Sequence, residues 1–124
     1  MAKQALVMGI DVGGQSTKLG VIDARGNILY QSVISSLQRE LSTYVDDLTT
    51  AIKDLIKKAE SDGEVKGIGI GAPNGNYYKG TIEFAPNLKW AYDENDKPMV
   101  IFFAKMIRDI VGIPVAITND ANAA

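Results

Sequence analysis

The chain has 124 residues, 46% of them hydrophobic and 23% charged, with a mean hydropathy close to zero. These are the proportions of one ordinary globular domain, and no apolar run approaches the roughly 18 residues that a membrane span needs. Thirteen Lys and Arg against fifteen Asp and Glu leave a net charge of −2, without the basic cluster of a nucleic-acid binder, and the absence of Cys and His rules out disulfides and nearly every zinc or redox centre within these residues.

The start, Met1 to Gln4 followed by the short apolar stretch Ala5 to Ile10, is too brief for a secretory signal, so a cytoplasmic protein is expected. Ala5–Ile10, Thr17–Asp23 and Ile28–Ile34 read as three strands, and their short spacings predict two antiparallel hairpins. From Thr43 the period changes. Val45, Leu48, Ile52, Leu55, Ile56 and Ala59 recur at three- and four-residue steps, which predicts an amphipathic helix of about five turns. Thr43 and Asp46 have capping-box spacing, and Gly63 stands close behind as a stop.

Val65–Gly71 returns to strand alternation, reached through the helix by a parallel crossover. Its glycines imply that something packs closely on that strand. Gly75–Gly80 reads as a loop or hairpin tip, Pro98–Val111 as a second helix ended by Gly112 and Pro114, and Ile113–Thr118 as the last strand. A strand, rather than a helix, follows Gly13-Gly14, unlike the glycine-rich start of a dinucleotide-binding fold.

Four places along this path can carry chemistry. Asp11-Val12-Gly13-Gly14-Gln15-Ser16-Thr17-Lys18 is a tight strand-to-strand turn. Two glycines there permit positive φ and close approach of a ligand, successive N–H groups can form an anion nest, Asp11 can hold a metal-bound water, and Lys18 can offset phosphate charge. The plainer alternative is a hairpin turn with Asp11 as a turn former. Asn74 and Asn87 each follow a proline in a loop near a strand end, and an amide suits a sugar hydroxyl because both donate and accept. Trp90 fits either core packing or a sugar-stacking platform. Asn119-Asp120 sits where a parallel strand feeds a helix, in the crevice where open α/β sheets bind ligands; helix capping alone is the competing explanation. The chain stops one turn into that helix, as the front of a longer protein would.

Asp11-Val12-Gly13-Gly14, Ala85-Pro86-Asn87-Leu88-Lys89-Trp90 and Asn119-Asp120-Ala121-Asn122-Ala123-Ala124 together resemble the ROK family (repressors, open reading frames and kinases), most closely its glucokinase-like sugar kinases. The resemblance implies an α/β, ribonuclease-H-like lobe of the actin and hexokinase type. Residues 1–124 would form this N-terminal lobe, a mixed five-stranded sheet with strands 1 to 3 antiparallel, facing a larger C-terminal lobe. It implies further that Asp120 is the base toward the sugar 6-hydroxyl, with Asn87 and Asn119 holding other hydroxyls. Asp11, Gly13, Gly14, Gln15, Ser16 and Lys18 would surround the phosphates of ATP, with Asp11 reaching Mg²⁺ through water.

Two departures stand out. Gln15 and Ser16 replace the usual Thr and frequent Asn, which removes a hydroxyl but spares backbone contacts, and Gly71–Gly75 matches the family's loop only loosely. The adenosine pocket, further sugar contacts and any structural Zn²⁺ would belong to the second half. A hexose kinase acting on glucose is therefore expected, homodimeric when complete and inactive as this piece alone. The alternatives are a ROK repressor, an inactive sugar-binding domain, and a kinase for N-acetylmannosamine or another hexose. A repressor would carry a helix-turn-helix ahead of a first strand that here begins by Ala5.

Overall fold

A computed structural model of the protein describes residues 4–119. In chain order the elements are β1 (Ala5–Val12), β2 (Ser16–Ile22), β3 (Ile28–Ser35), α1 (Leu41–Lys58), β4 (Glu64–Ala72), β5 (Gly75–Asn76), β6 (Thr81–Glu83), β7 (Val100–Ile101), α2 (Phe103–Val111) and β8 (Val115–Asn119). In β1 the side chains of Leu6, Met8, Ile10 and Val12 are buried while Ala5, Val7 and Asp11 face outward. Period-two alternation of this kind marks a sheet covered on one face.

The main sheet has the order β3-β2-β1-β4-β8. β1 pairs antiparallel with β2, and β2 with β3, whereas β4 joins β1 and β8 joins β4 in parallel. This is the mixed five-stranded sheet expected, with its first three strands antiparallel. Both helices pack on the face that carries Leu6, Met8 and Ile70, and they touch each other. Tyr44, Leu48, Ile52 and Leu55 of α1 and Phe103 and Ile107 of α2 complete that core. A small second sheet, β5-β6-β7, lies between β4 and α2 in the chain.

Several local expectations are corrected. α1 begins at Leu41 with Glu40 as its N-cap and no side-chain cap, so Thr43 and Asp46 lie inside the helix and form no capping box. Gly63 is not a left-handed stop. A Cβ there would stand 2.5 Å from the Gln4 carbonyl oxygen, so the glycine lets the chain entering β1 pass close by. The second helix starts at Phe103, not Pro98. Val100 and Ile101 pair with Glu83 and Ile82 instead, since β-branched residues fit a strand edge as readily as a first helical turn. Its end is as expected: Gly112 has φ +73° and its N–H bonds to the Arg108 carbonyl at 2.8 Å.

The glycines of β4 also behave differently. A Cβ on Gly67 or Gly69 would meet nothing within 4 Å among the described residues. Gly20, Gly9, Gly69 and Ala116 are successive register partners across β2, β1, β4 and β8, so the outward face has a central row almost without side chains. With Val33, Lys18 and Asp11 at its upper border, this face forms a concavity of about 830 Å³.

Candidate active site

The site is assembled at the carboxyl ends of β1, β4 and β8, where strand ends deliver loops to one edge. Asp11 is the penultimate residue of β1 and pairs with Lys18 of β2 on one side and Gly71 of β4 on the other. It therefore belongs to the ladder rather than to the turn. The turn itself is closed by the Gly13 N–H, which donates to the Ser16 carbonyl at 3.0 Å. Neither Gly13 nor Gly14 has positive φ, contrary to expectation. Their value is space: a Cβ on Gly13 would lie 2.8 Å from the Ser16 carbonyl oxygen.

Among the described residues no hydrogen bond occupies the N–H groups of Gly14 and Gln15. Two adjacent donors at a partly exposed turn, followed in sequence by Lys18, are what a phosphate group needs. Loss of the hydroxyl at Gln15 leaves this backbone arrangement intact. Gln15 is exposed, Ser16 is half-buried, and the Gln15 carbonyl accepts from the Ser36 N–H at 2.9 Å.

Asn87 meets this turn directly. A Cβ on Gly14 would stand 3.0 Å from the Asn87 carbonyl oxygen and 3.6 Å from its Nδ2. Asn87 is exposed because Leu88 and Trp90 beside it are fully buried and anchor the loop. The Tyr92 hydroxyl, donating to the Pro86 carbonyl at 2.6 Å, closes the same loop. Trp90 stacks on Tyr44 with ring centres 4.1 Å apart and planes 9° from parallel, and on Phe103 at 5.6 Å. It is core packing, not a platform open to sugar.

Asn119 ends β8 opposite Ala72 of β4. Asp120, assigned as the base, lies outside the described residues, as does the start of the helix expected after it. The Gly71–Gly75 loop is drawn against the same strand end. A Cβ on Gly75 would fall 2.3 Å from the Thr118 carbonyl oxygen, and Asn74, at φ +56°, donates through Nδ2 to the Phe84 carbonyl at 2.9 Å. A pocket of about 340 Å³ there is lined by Asn74, Asn76, Tyr77, Glu83, Thr118 and Asn119.

Glu83 escaped the reading of the sequence because only folding brings it here. Its Oε2 accepts from Thr81 Oγ1 at 2.6 Å and Asn76 Nδ2 at 3.0 Å, and the Thr81 bond leads in holding its carboxyl below the usual range. Alternation around β6 was its only sequence signal.

No three carboxylates gather for direct metal binding among the described residues. One exposed carboxylate at Asp11, beside a turn whose N–H donors at Gly14 and Gln15 have no partner among the described residues, nevertheless fits a Mg²⁺ that keeps most of its waters and is shared with phosphates.

The sequence profile of the ROK family matches residues 7–124. The chain belongs to the ROK family. It is 33% identical over 120 residues to a glucokinase of Streptomyces coelicolor, covering 96% of this chain and 34% of that protein. Among solved structures it is similar to a ROK family glucokinase from Streptomyces griseus in complex with glucose and AMPPNP, with 31% identity and a TM-score of 0.68, covering 95% of this chain and 34% of that one. A ROK family transcriptional regulator, a homolog of the Escherichia coli MLC protein, superposes with a TM-score of 0.80 over 97% of this chain and 29% of that chain. At 16% identity that likeness shows the fold alone. The chain spans about a third of the length of the curated glucokinase it matches, and its fold is that of the actin and hexokinase type.

Proposed function

We propose that this ROK chain is the N-terminal lobe of an ATP-dependent hexose kinase that converts glucose to glucose 6-phosphate. The observation that carries this reading is the contact between Gly14 and Asn87. A turn suited to phosphate and a loop suited to sugar hydroxyls share one edge of the sheet, with Asn119 at the end of a strand on that edge. The likeness to proteins named glucokinase supports the same reading.

In this proposal the N–H groups of Gly14 and Gln15, with Lys18, hold and neutralise the phosphates, and Asp11 orients the hydrated Mg²⁺. Asn87 and Asn119 fix the sugar so that its 6-hydroxyl faces the terminal phosphate. Asp120 accepts the proton of that hydroxyl as the new O–P bond forms and the bond between the terminal phosphorus and the bridging oxygen breaks, with ADP as the leaving group. Phosphoryl transfer depends mainly on positioning and charge neutralisation, with one carboxylate orienting the nucleophile. A second lobe in the complete protein supplies the adenosine pocket, the remaining sugar contacts and the dimer surface.

The test is a coupled assay of the full-length protein with MgATP against a panel of hexoses and N-acetylhexosamines. Turnover on glucose above all others is expected. Sugar binding without turnover on any of them would make the protein a sensor or a degenerate kinase.

A further inference from the structure

Behind the two loops lies a buried polar and aromatic chain that the reaction itself does not use. Thr17, the second residue of β2, is fully buried, and its Oγ1 lies 2.7 Å from Ser36 Oγ and 2.5 Å from the Tyr44 hydroxyl. Ser36 is buried too, and its N–H bonds to the Gln15 carbonyl, so the β2 side of the phosphate-side turn is tied to this cluster at two points, Gln15 and Thr17. The other side of Tyr44 is its ring, stacked at 4.1 Å on Trp90, three residues beyond Asn87. Tyr44 therefore touches the nucleotide side through its oxygen and the sugar side through its ring.

We infer that Tyr44 is a positioning residue that couples the two halves of the site, so that filling the phosphate turn tightens the sugar loop and the reverse. The inference rests on the kinase reading above. A buried hydroxyl cluster has few alternative arrangements, because each oxygen that moves must take its partners along or leave them unpaired. Ring stacking between Tyr44, Trp90 and Phe103 restrains the loop in the same way, since close-packed aromatic side chains shift as a unit. Burial pushes the Tyr44 hydroxyl up to about 12, so it remains protonated and able to donate at any physiological pH. Coupling between two ligands is reciprocal and is measured as a ratio of affinities.

The experiment is glucose titration of the full-length protein with and without a saturating non-hydrolysable ATP analogue. In the wild type the analogue is expected to tighten glucose binding by about fivefold or more. Tyr44→Phe keeps the ring stack and deletes the hydroxyl, and Thr17→Val deletes the partner; in each the ratio should fall below about twofold. Ile52→Val, fully buried on the same helix, is a control that loses stability but should keep the wild-type ratio. A wild-type ratio of one overturns the inference, as does an unchanged ratio in both variants or an equal loss in Ile52→Val. Absence of both turnover and glucose binding in the wild type would instead strike the kinase reading.

Discussion

Gly14 of the turn between β1 and β2 rests on the backbone of Asn87, with room for no methyl group between them: a Cβ would stand 3.0 Å from the Asn87 carbonyl oxygen. Gly14→Ala should therefore push the sugar loop outward by a few tenths of an ångström while leaving the fold in place. Because small misplacements of reacting groups are costly, kcat/KM for glucose is expected to fall roughly ten- to a hundredfold in the full-length protein. Steady-state kinetics check this, and wild-type kcat/KM would sink it.

Gly75 and Gly69 make a matched pair with opposite expectations. At Gly75 a Cβ would clash with the Thr118 backbone at 2.3 Å, whereas at Gly69 it meets nothing within 4 Å. Gly75→Ala should lose about 1–3 kcal/mol through forced backbone shifts. Gly69→Ala should be neutral or gain up to about 1 kcal/mol by restricting the unfolded chain. Urea unfolding of the 124-residue chain distinguishes them, and equal midpoints would contradict the contacts described.

Asp120→Asn removes the base assigned to the sugar hydroxyl while keeping its size. A loss in kcat of about 10²–10⁴ is expected in the full-length protein, with the KM for MgATP little changed because that residue is not assigned to the phosphates. Wild-type kcat would reject the base role.

The Asp23–Asn27 turn supplies a pH-dependent contribution to stability. Asp23 accepts from the Asn27 and Arg25 N–H groups at 2.9 Å each and from Asn27 Nδ2 at 3.1 Å. These bonds, the Asn27 N–H first, hold its carboxyl below the ordinary 3.8. The unfolded chain therefore takes up the proton first as pH falls, so the stabilisation is complete above 3.8 and fades as pH drops through the lower folded value. The Tm difference between wild type and Asp23→Ala should be constant near neutrality and shrink toward pH 3. A difference that grows in acid would refute the assignment.

The strands and α1 were legible because their signals are local: Leu6, Met8, Ile10 and Val12 alternate, and Val45, Leu48, Ile52 and Leu55 keep a helical step. Pro98–Ile101 misled because a proline followed by apolar residues suits a helix start, while the partner that decides otherwise, Ile82, is nineteen positions from Ile101. The strand glycines misled in a different way. Gly67 and Gly69 look like contact points, yet close approach occurs at Gly14, Gly63 and Gly75, where backbone from distant segments crosses. Motif order singled out Asn87 and Asn119 as candidates, but no pattern joined Thr17 to Tyr44, 27 residues apart.

The place of β8 in the sheet has a consequence for synthesis. Among the described residues it pairs with β4 alone, so β1 to β4 and α1 can come together while Val115 to Asn119 are still inside the ribosome, where chains fold from the N-terminus as they emerge. The turn between β1 and β2 is then among the first features made, and Asn119 among the last. Because a ligand stabilises only a form that binds it, a nascent chain with the proposed sugar site would gain nothing from sugar before β8 has docked.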